Sequence, residues 1–319
     1  MRIPGGLVVF VLFCLASAQN FYDKNAHIME LTPKSFDKVV HRTNYTTMVE
    51  FYAPWCGYCQ QLKGIMQKAA KSLDGIVQIA SVNCDLAKNK RLCAQYRVEG
   101  FPTLMVFRPP KVDLKKSADS RIALGNHASE IYKGERKLRP IVDFCTSRVK
   151  NYVNRIPRIE KMLEILKNSS QSRMQVILFS KRDKISPLYK SLALDWLGVM
   201  DFHVFPNSKL QGLSNALEPL GGKFKELLLG LQQDQAFSDS SLLVAFNAET
   251  QDYHIYEDQS FDKKDVWKFL SLLAEPREGP YTKRQEYLDA VRKGLQISRE
   301  EKGQKKTDQC FTMMSCRAT

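Results

Sequence analysis

Between residues 146 and 309 the chain contains no cysteine, which removes thiol chemistry from most of its second half. Histidine is scarce as well: five are scattered along 319 residues, and none lies beside a pair of cysteines in the spacing of a second zinc knuckle. No apolar run approaches the ~20 residues that a membrane-spanning helix requires. Although the formal net charge is +14, the basic residues are dispersed among acids, so no continuous basic stripe marks a nucleic-acid surface. This charge reads as a solvated basic surface, and the modest enrichment from Lys283 to Lys306 offers only a weak contact for acidic partners.

What is present begins with Arg2, an apolar core from Leu7 to Leu15, and Ala16-Ser17-Ala18, the small-residue pattern of a signal-peptidase site. Residues 1–18 are therefore expected to be a signal peptide cleaved after Ala18, which puts the mature chain on the secretory route. Cys14 leaves with it. Seven of the eight cysteines remain, an odd number, so at least one is unpaired or joined to another molecule. Two sequons, Asn44-Tyr45-Thr46 and Asn168-Ser169-Ser170, agree with that route as candidate glycosylation sites.

About 300 mature residues suffice for two domains with cores of their own. In the first half, "IMELTPKSFDKVV" reads as strand, turn and helix, and "TTMVEFYA" as a buried strand. Leu62, Ile65, Met66, Ala69, Ala70 and Leu73 recur at helical spacing, making Cys56 the entry to a long helix. "IVQIASVNC", "TLMVF" and "EIYKG" are further strands, "AKNKRLCAQY" a short helix and "RPIVDFCTSRVKNYV" a closing helix, with Lys111 to Ser129 a polar surface insertion. Alternating strands and helices predict an α/β sheet with crossover connections over residues 24–150. After a helical stretch from Val149 to Ile159, "MQVILFS", "SPLYKSLALDWLG", "DFHVFPN", the hairpin "SLLVAFN" and "DYHIYED", and "KDVWKFLSLLA" repeat that order over residues 151–278. Residues 279–319 form a basic extension.

The chemistry concentrates in "EFYAPWCGYCQQL", residues 50–62. A thiol at a helix N-terminus meets unpaired amide N–H groups and the positive end of the helix dipole. Cys56 is thus expected to be reachable from outside, to ionise below the usual thiol value of about 8.5 and to act as the attacking sulfur. Cys59 lies one turn further in, within reach to expel a mixed disulfide. Gly57 permits close approach, and Trp55 supplies an apolar surface. Zinc and a purely structural Cys56–Cys59 bridge are the competing readings. The first lacks half its ligands, and the second closes a loop too small to gain much entropy. Glu50, between Val49 and Phe51, sits where a parallel sheet covered on both faces makes a carboxylate costly; burial would raise its pKa and make it a proton acceptor for Cys59. A solvated place at the sheet edge is the plain alternative.

Residues 45–150 resemble a catalytic domain of the protein disulfide isomerase family through "VEFYAPWCGYC", "YRVEGFPTLMVF" and "YKGERKLRPIVDF", in that order and spacing. The whole chain is similar to a small fungal member of that family from the endoplasmic reticulum. The resemblance implies two tandem thioredoxin-like domains, the first catalytic and the second redox-inactive, orienting clients or docking chaperones. It implies that Pro102, after Phe101 in "GFPT", is a cis proline facing the dithiol and leaving strand backbone free for an extended client. Trp55, Gly57, Tyr58, Phe101 and Pro102 then contact substrate, and Arg136 approaches Cys59 to ease its ionisation. It also implies a structural Cys84–Cys93 disulfide, with two buried reduced thiols as the alternative.

No cofactor or metal is implied, because the dithiol itself exchanges with glutathione or a thiol oxidase. The implied partners are unfolded or misfolded secretory proteins, a lumenal thiol oxidase and a lectin chaperone. Two departures stand out. Tyr58 replaces the histidine that usually stabilises the outer thiolate, which predicts a more reducing couple, and the sequence ends "MMSCRAT" instead of the Lys/His-Asp-Glu-Leu that retains family members in the endoplasmic reticulum. Cys145 reads as a small core residue, and nothing catalytic is assigned to Cys310 or Cys316. The rival from another class is a redox-independent chaperone or adaptor for glycoprotein clients.

Overall fold

The computed structural model describes residues 20–22, 25, 27–112, 127–167, 173–182, 184–209, 223–233, 241–247, 249–250, 252–257 and 260–276. The expected signal peptide, Asn168, most of the expected Lys111–Ser129 insertion, Cys310, Cys316 and the expected basic extension lie outside these residues.

In the first unit β1 (Ile28–Glu30) leads to a short helix, α1 (Pro33–Phe36), that widens into a π-helical turn over Asp37–His41. Then follow β2 (Thr47–Tyr52), α2 (Gly57–Ser72), β3 (Gln78–Asn83), α3 (Lys90–Gln95), β4 (Thr103–Arg108), β5 (Ala128–Ile131) and α4 (Leu138–Ser147). The five strands form one sheet in the order β1-β3-β2-β4-β5. All six residues of β2 are buried, because helices cover both faces of the strand. Met48 and Tyr52 pack with Leu62, Met66, Ile141 and Cys145 under α2 and α4, whereas Val49 and Phe51 pack with Phe36, Leu92 and Phe107 on the other side. Each such side chain contributes about 1.5–3 kcal/mol of burial, and that double burial explains the continuous apolar run.

The second unit comprises β6 (Asn154–Arg155), α5 (Ile159–Lys167), β7 (Met174–Ser180), α6 (Pro187–Asp195), β8 (Met200–Pro206), α7 (Lys223–Gln233), β9 (Ser241–Phe246), β10 (Tyr253–Ile255) and α8 (Lys263–Leu273). Its strand order is β10-β9-β7-β8-β6. One face packs Val176, Leu178, Tyr189, Trp196 and Trp267 under α6 and α8; the other packs Met162, Phe179, Phe205 and Leu228 under α5 and α7.

Three expectations are corrected. The sheets are mixed: β2 is parallel to β3 but antiparallel to β4, which is antiparallel to β5. The closing helix ends at Ser147, and the expected helical stretch from Val149 to Ile159 is not helical until Ile159, where α5 begins. There Asn151 forms a local turn with the Val153 N–H at 3.2 Å, β6 pairs with β8, and Pro157 cannot donate to a helix. The fourth strand starts earlier than "EIYKG", at Ala128, within the expected insertion. Helices α5 and α7 were not anticipated.

The two units meet through a small apolar cluster of Tyr45, Val112, Leu194 and Leu197, with Tyr152 against it. Beside it the Tyr45 hydroxyl donates to the Asp195 carboxylate. Lys263 reaches Asp195 at 2.6 Å and donates to Ser191 Oγ at 2.8 Å. Lys263 and Asp195 are both buried, so each depends on its partner for the charge it brings out of water. The Lys263 stem also lies over Gly75, where an added Cβ would come within 3.1 Å of it.

Candidate active site

Strand β2 ends at Tyr52, and the Cys56 N–H closes a tight turn on the Ala53 carbonyl at 3.1 Å. Cys56 is then the N-cap of α2, in extended conformation, and its Sγ accepts the Cys59 N–H at 3.3 Å. The sulfur thus takes the place that a serine or aspartate oxygen occupies at an ordinary helix start. Both thiols are free. Cys56 is 8 % exposed and Cys59 0 %. The outer cysteine is therefore only slightly exposed, less than the sequence led us to expect, and the inner one is sealed.

Opposite the sulfurs lies the loop entering β4. The Phe101–Pro102 peptide is cis, and Cys56 Sγ donates to the Phe101 carbonyl at 3.6 Å. The rim is aromatic. Trp55 and Tyr58 are 67 % and 69 % exposed, and Trp55 meets Phe101 edge-on at 6.0 Å. The Trp55 indole N–H is held by Asp85 at 3.0 Å, beside the Cys84–Cys93 disulfide that ties the end of β3 to α3. A Cβ on Gly57 would meet nothing within 4 Å, so protein atoms leave that approach open.

Glu50, whose charge acts on Cys59, is fully buried. Desolvation pushes its carboxyl up to about 7, and the charge of Glu30 adds to the rise; the Tyr22 hydrogen bond and the Arg136 cation act the other way. Burial likewise pushes the Cys59 thiol up to about 12, reinforced by its hydrogen bond with Cys56 and by the negative charge of Glu50. The inner thiol thus keeps its proton until a base takes it. Among the described residues, no group of three or more His, Cys, Asp or Glu side chains could hold a metal ion.

Arg136 is not placed on Cys59. Its guanidinium donates to the Pro102 carbonyl at 3.1 Å, fastening the cis-proline loop, and its charge is felt at Glu50. Asn44 is buried for the most part and sits in a turn whose neighbours Thr43 and Thr46 bond inward. Cys145 is sealed in the core, donating to Met48 Sδ at 3.6 Å, and burial pushes its thiol up to about 12. Sequence reasoning missed Tyr22 and Asp85. The adjacent aromatics Phe21 and Tyr22 were the available signal for the first; nothing local marked the second.

Comparison with known proteins places these features in context. The thioredoxin family profile matches residues 27–138. The chain is 52% identical over 283 residues to protein disulfide-isomerase MPD1 of Saccharomyces cerevisiae, covering 87% of this chain and 88% of that one. It is 35% identical over 146 residues to the protein disulfide-isomerase A6 homolog of Drosophila melanogaster, covering 46% of this chain and 30% of the relative. Among solved structures, ERdj5 form I superposes with a TM-score of 0.54 at 18% identity, over 78% of this chain and 29% of that one, a likeness of fold.

Proposed function

Because the chain belongs to the protein disulfide isomerase family, we propose that Cys56 and Cys59 make its thiol-disulfide oxidoreductase and isomerase activity act on secretory-pathway clients in the endoplasmic reticulum lumen. In the reducing direction the Cys56 thiolate attacks one sulfur of a client disulfide; a Cys56–client bond forms and the other client sulfur leaves as thiolate. Cys59 then yields its proton to Glu50, and its sulfur attacks Cys56 Sγ. The Cys56–client bond breaks, the second client sulfur departs, and Cys56–Cys59 is left oxidised. Run backwards, the same steps deliver a disulfide; when another client thiolate attacks the Cys56–client bond before Cys59 does, a new client disulfide forms, Cys56 leaves as thiolate and the result is isomerisation. Such a dithiol needs no cofactor for these steps.

The observation that carries this reading is the arrangement of the dithiol: Cys56 at the cap of α2 against the Phe101–Pro102 loop, Cys59 buried one turn further in, and the buried Glu50 carboxyl close enough for its charge to act on Cys59. Trp55, Gly57, Tyr58, Phe101 and Pro102 form the client-facing rim, and Arg136 steadies that rim through Pro102. Residues 24–150 act as the catalytic domain and residues 151–278 as a non-catalytic one that orients clients or docks a chaperone. Glutathione or a thiol oxidase returns the dithiol to its working redox state. A Cys59→Ala variant tests the assignment: client mixed disulfides should accumulate through Cys56 and vanish when Cys56 is also replaced. Equal client binding with both sulfurs removed would instead establish a redox-independent adaptor.

A further inference from the structure

Glu50 carries two oxygens in a sealed space, and they differ. Oε2 accepts the Tyr22 hydroxyl at 2.6 Å; Oε1 is buried without a hydrogen-bond partner among the described residues. Tyr22 is itself buried and reaches the site from the segment preceding β1, where several contacts lock it. Its ring meets Tyr52 edge-on at 5.9 Å, its N–H donates to Glu30 Oε1 at 3.2 Å, and the neighbouring Phe21 stacks on Tyr52 at 4.5 Å. Lys63 covers Phe21 at 5.0 Å, and Asn83 Nδ2 donates to Asn20 Oδ1 at 3.1 Å. Tyr52 in turn donates to Glu30 Oε1 at 2.7 Å. The titratable and charged groups coupled to Glu50 include Tyr22, Tyr52, Glu30, Arg136 and Cys59.

We propose that Tyr22 is a positioning residue for disulfide exchange: its hydroxyl anchors Glu50 Oε2, so that Oε1 is left as the oxygen that takes the Cys59 proton. The inference rests on Glu50 being the proton acceptor of the exchange proposed above. In the step, the Cys59 S–H bond breaks and an O–H bond forms at Glu50 Oε1; the sulfur pair attacks Cys56 Sγ, and the electrons of the Cys56–client bond leave with the client thiolate. Tyr22 keeps its own proton throughout, because burial and the Glu50 charge hold its phenol far above the ordinary tyrosine range. Its fixed donor favours the ionised carboxylate, and the charge of Glu30 opposes it. The N-terminal segment thereby sets the pH at which Glu50 can act.

The test is the rate at which the full chain resolves a thionitrobenzoate mixed disulfide on Cys56, followed by stopped-flow across pH. In the parent, the acid limb should have its midpoint near the value of about 7 held by Glu50. Tyr22→Phe keeps the ring contacts and removes only the hydroxyl. It should raise that midpoint by about one pH unit, slowing resolution about fivefold at pH 7 while converging with the parent by about pH 9. Added to Glu50→Gln, it should change nothing further. An unmoved midpoint, or equal slowing at every pH, overturns the positioning role. If Glu50→Gln alone leaves the acid limb in place, the base assignment fails and the role of Tyr22 falls with it.

Discussion

The two sheets of this chain are built alike and equipped differently. In each, a central strand runs parallel to one neighbour and antiparallel to the other: β2 between β3 and β4, β7 between β8 and β9. In each, the next helix opens on a residue whose side chain accepts the N–H three positions on, Cys56 Sγ from Cys59 at 3.3 Å and Ser186 Oγ from Tyr189 at 3.1 Å. The cap is a property of the scaffold. Beneath the first cap stands Glu50 among Met48 and Tyr52; under the second cap β7 presents Val176 and Leu178. Strand β4 follows a cis proline, whereas Ser240 precedes β9. On the proposed mechanism, redox chemistry therefore depends on four substitutions into a common frame: sulfur for oxygen at the cap, Cys59 where the second helix carries Tyr189, a carboxylate for an aliphatic below, and proline at the facing strand.

The comparison can be broken most sharply at the cap. Cys56→Ser gives the first unit the capping atom of the second, and insulin-disulfide reduction should fall by on the order of 10³-fold or more while circular dichroism reports an intact helix. Retained turnover would show that the exchange does not need the Cys56 sulfur. Next is the seam between the units. Lys263→Met leaves the Asp195 charge buried without its cation, and urea denaturation should show a loss of about 3–5 kcal/mol; an unchanged midpoint would mean that the two units are thermodynamically independent of this pair.

Glu50→Leu makes β2 resemble β7. Because the folded-state value of Glu50 is raised from 4.5 to about 7, the folded chain holds a proton across that window that the unfolded chain has released. The corresponding stability is complete below 4.5 and lost as pH rises through 7, amounting to about 3 kcal/mol. The variant should flatten that slope in denaturation curves measured from pH 4.5 to pH 8, and a slope equal to the parent's would argue that Glu50 is hydrated. The smallest effect expected is at the rim: Tyr58→His should make the dithiol more oxidising by about 30 mV, a tenfold change against a glutathione buffer, and an identical midpoint would show that the neutral phenol costs the outer thiolate nothing.

Much of this was legible in the sequence because the signals were local. The apolar spacing of Leu62, Met66, Ala69 and Ala70 defines α2, and Trp-Cys-Gly-Tyr-Cys at its start marks the dithiol. The burial of Glu50 followed from its apolar neighbours in β2. What escaped depends on distant pairing. The mixed sense of the sheet is decided by how β4 returns to β2, and no local pattern records it. The segment around Val153 and Ile156 has apolar residues at spacings open to either reading, and pairing with β8 together with Pro157 made it extended. Tyr22 lies 28 residues from Glu50, and Tyr45 lies 150 residues from Asp195, separations across which single-sequence periodicity is silent.

Cys145 supplies a consequence of another kind. Its sulfur is wholly enclosed between α4 and β2, so an alkylating reagent can reach it only when those elements part. In a variant lacking the sulfurs of Cys56 and Cys59, the labelling rate at this position would count the openings of the first unit. A client that holds the domain shut should slow the count, and one that pries it apart should quicken it.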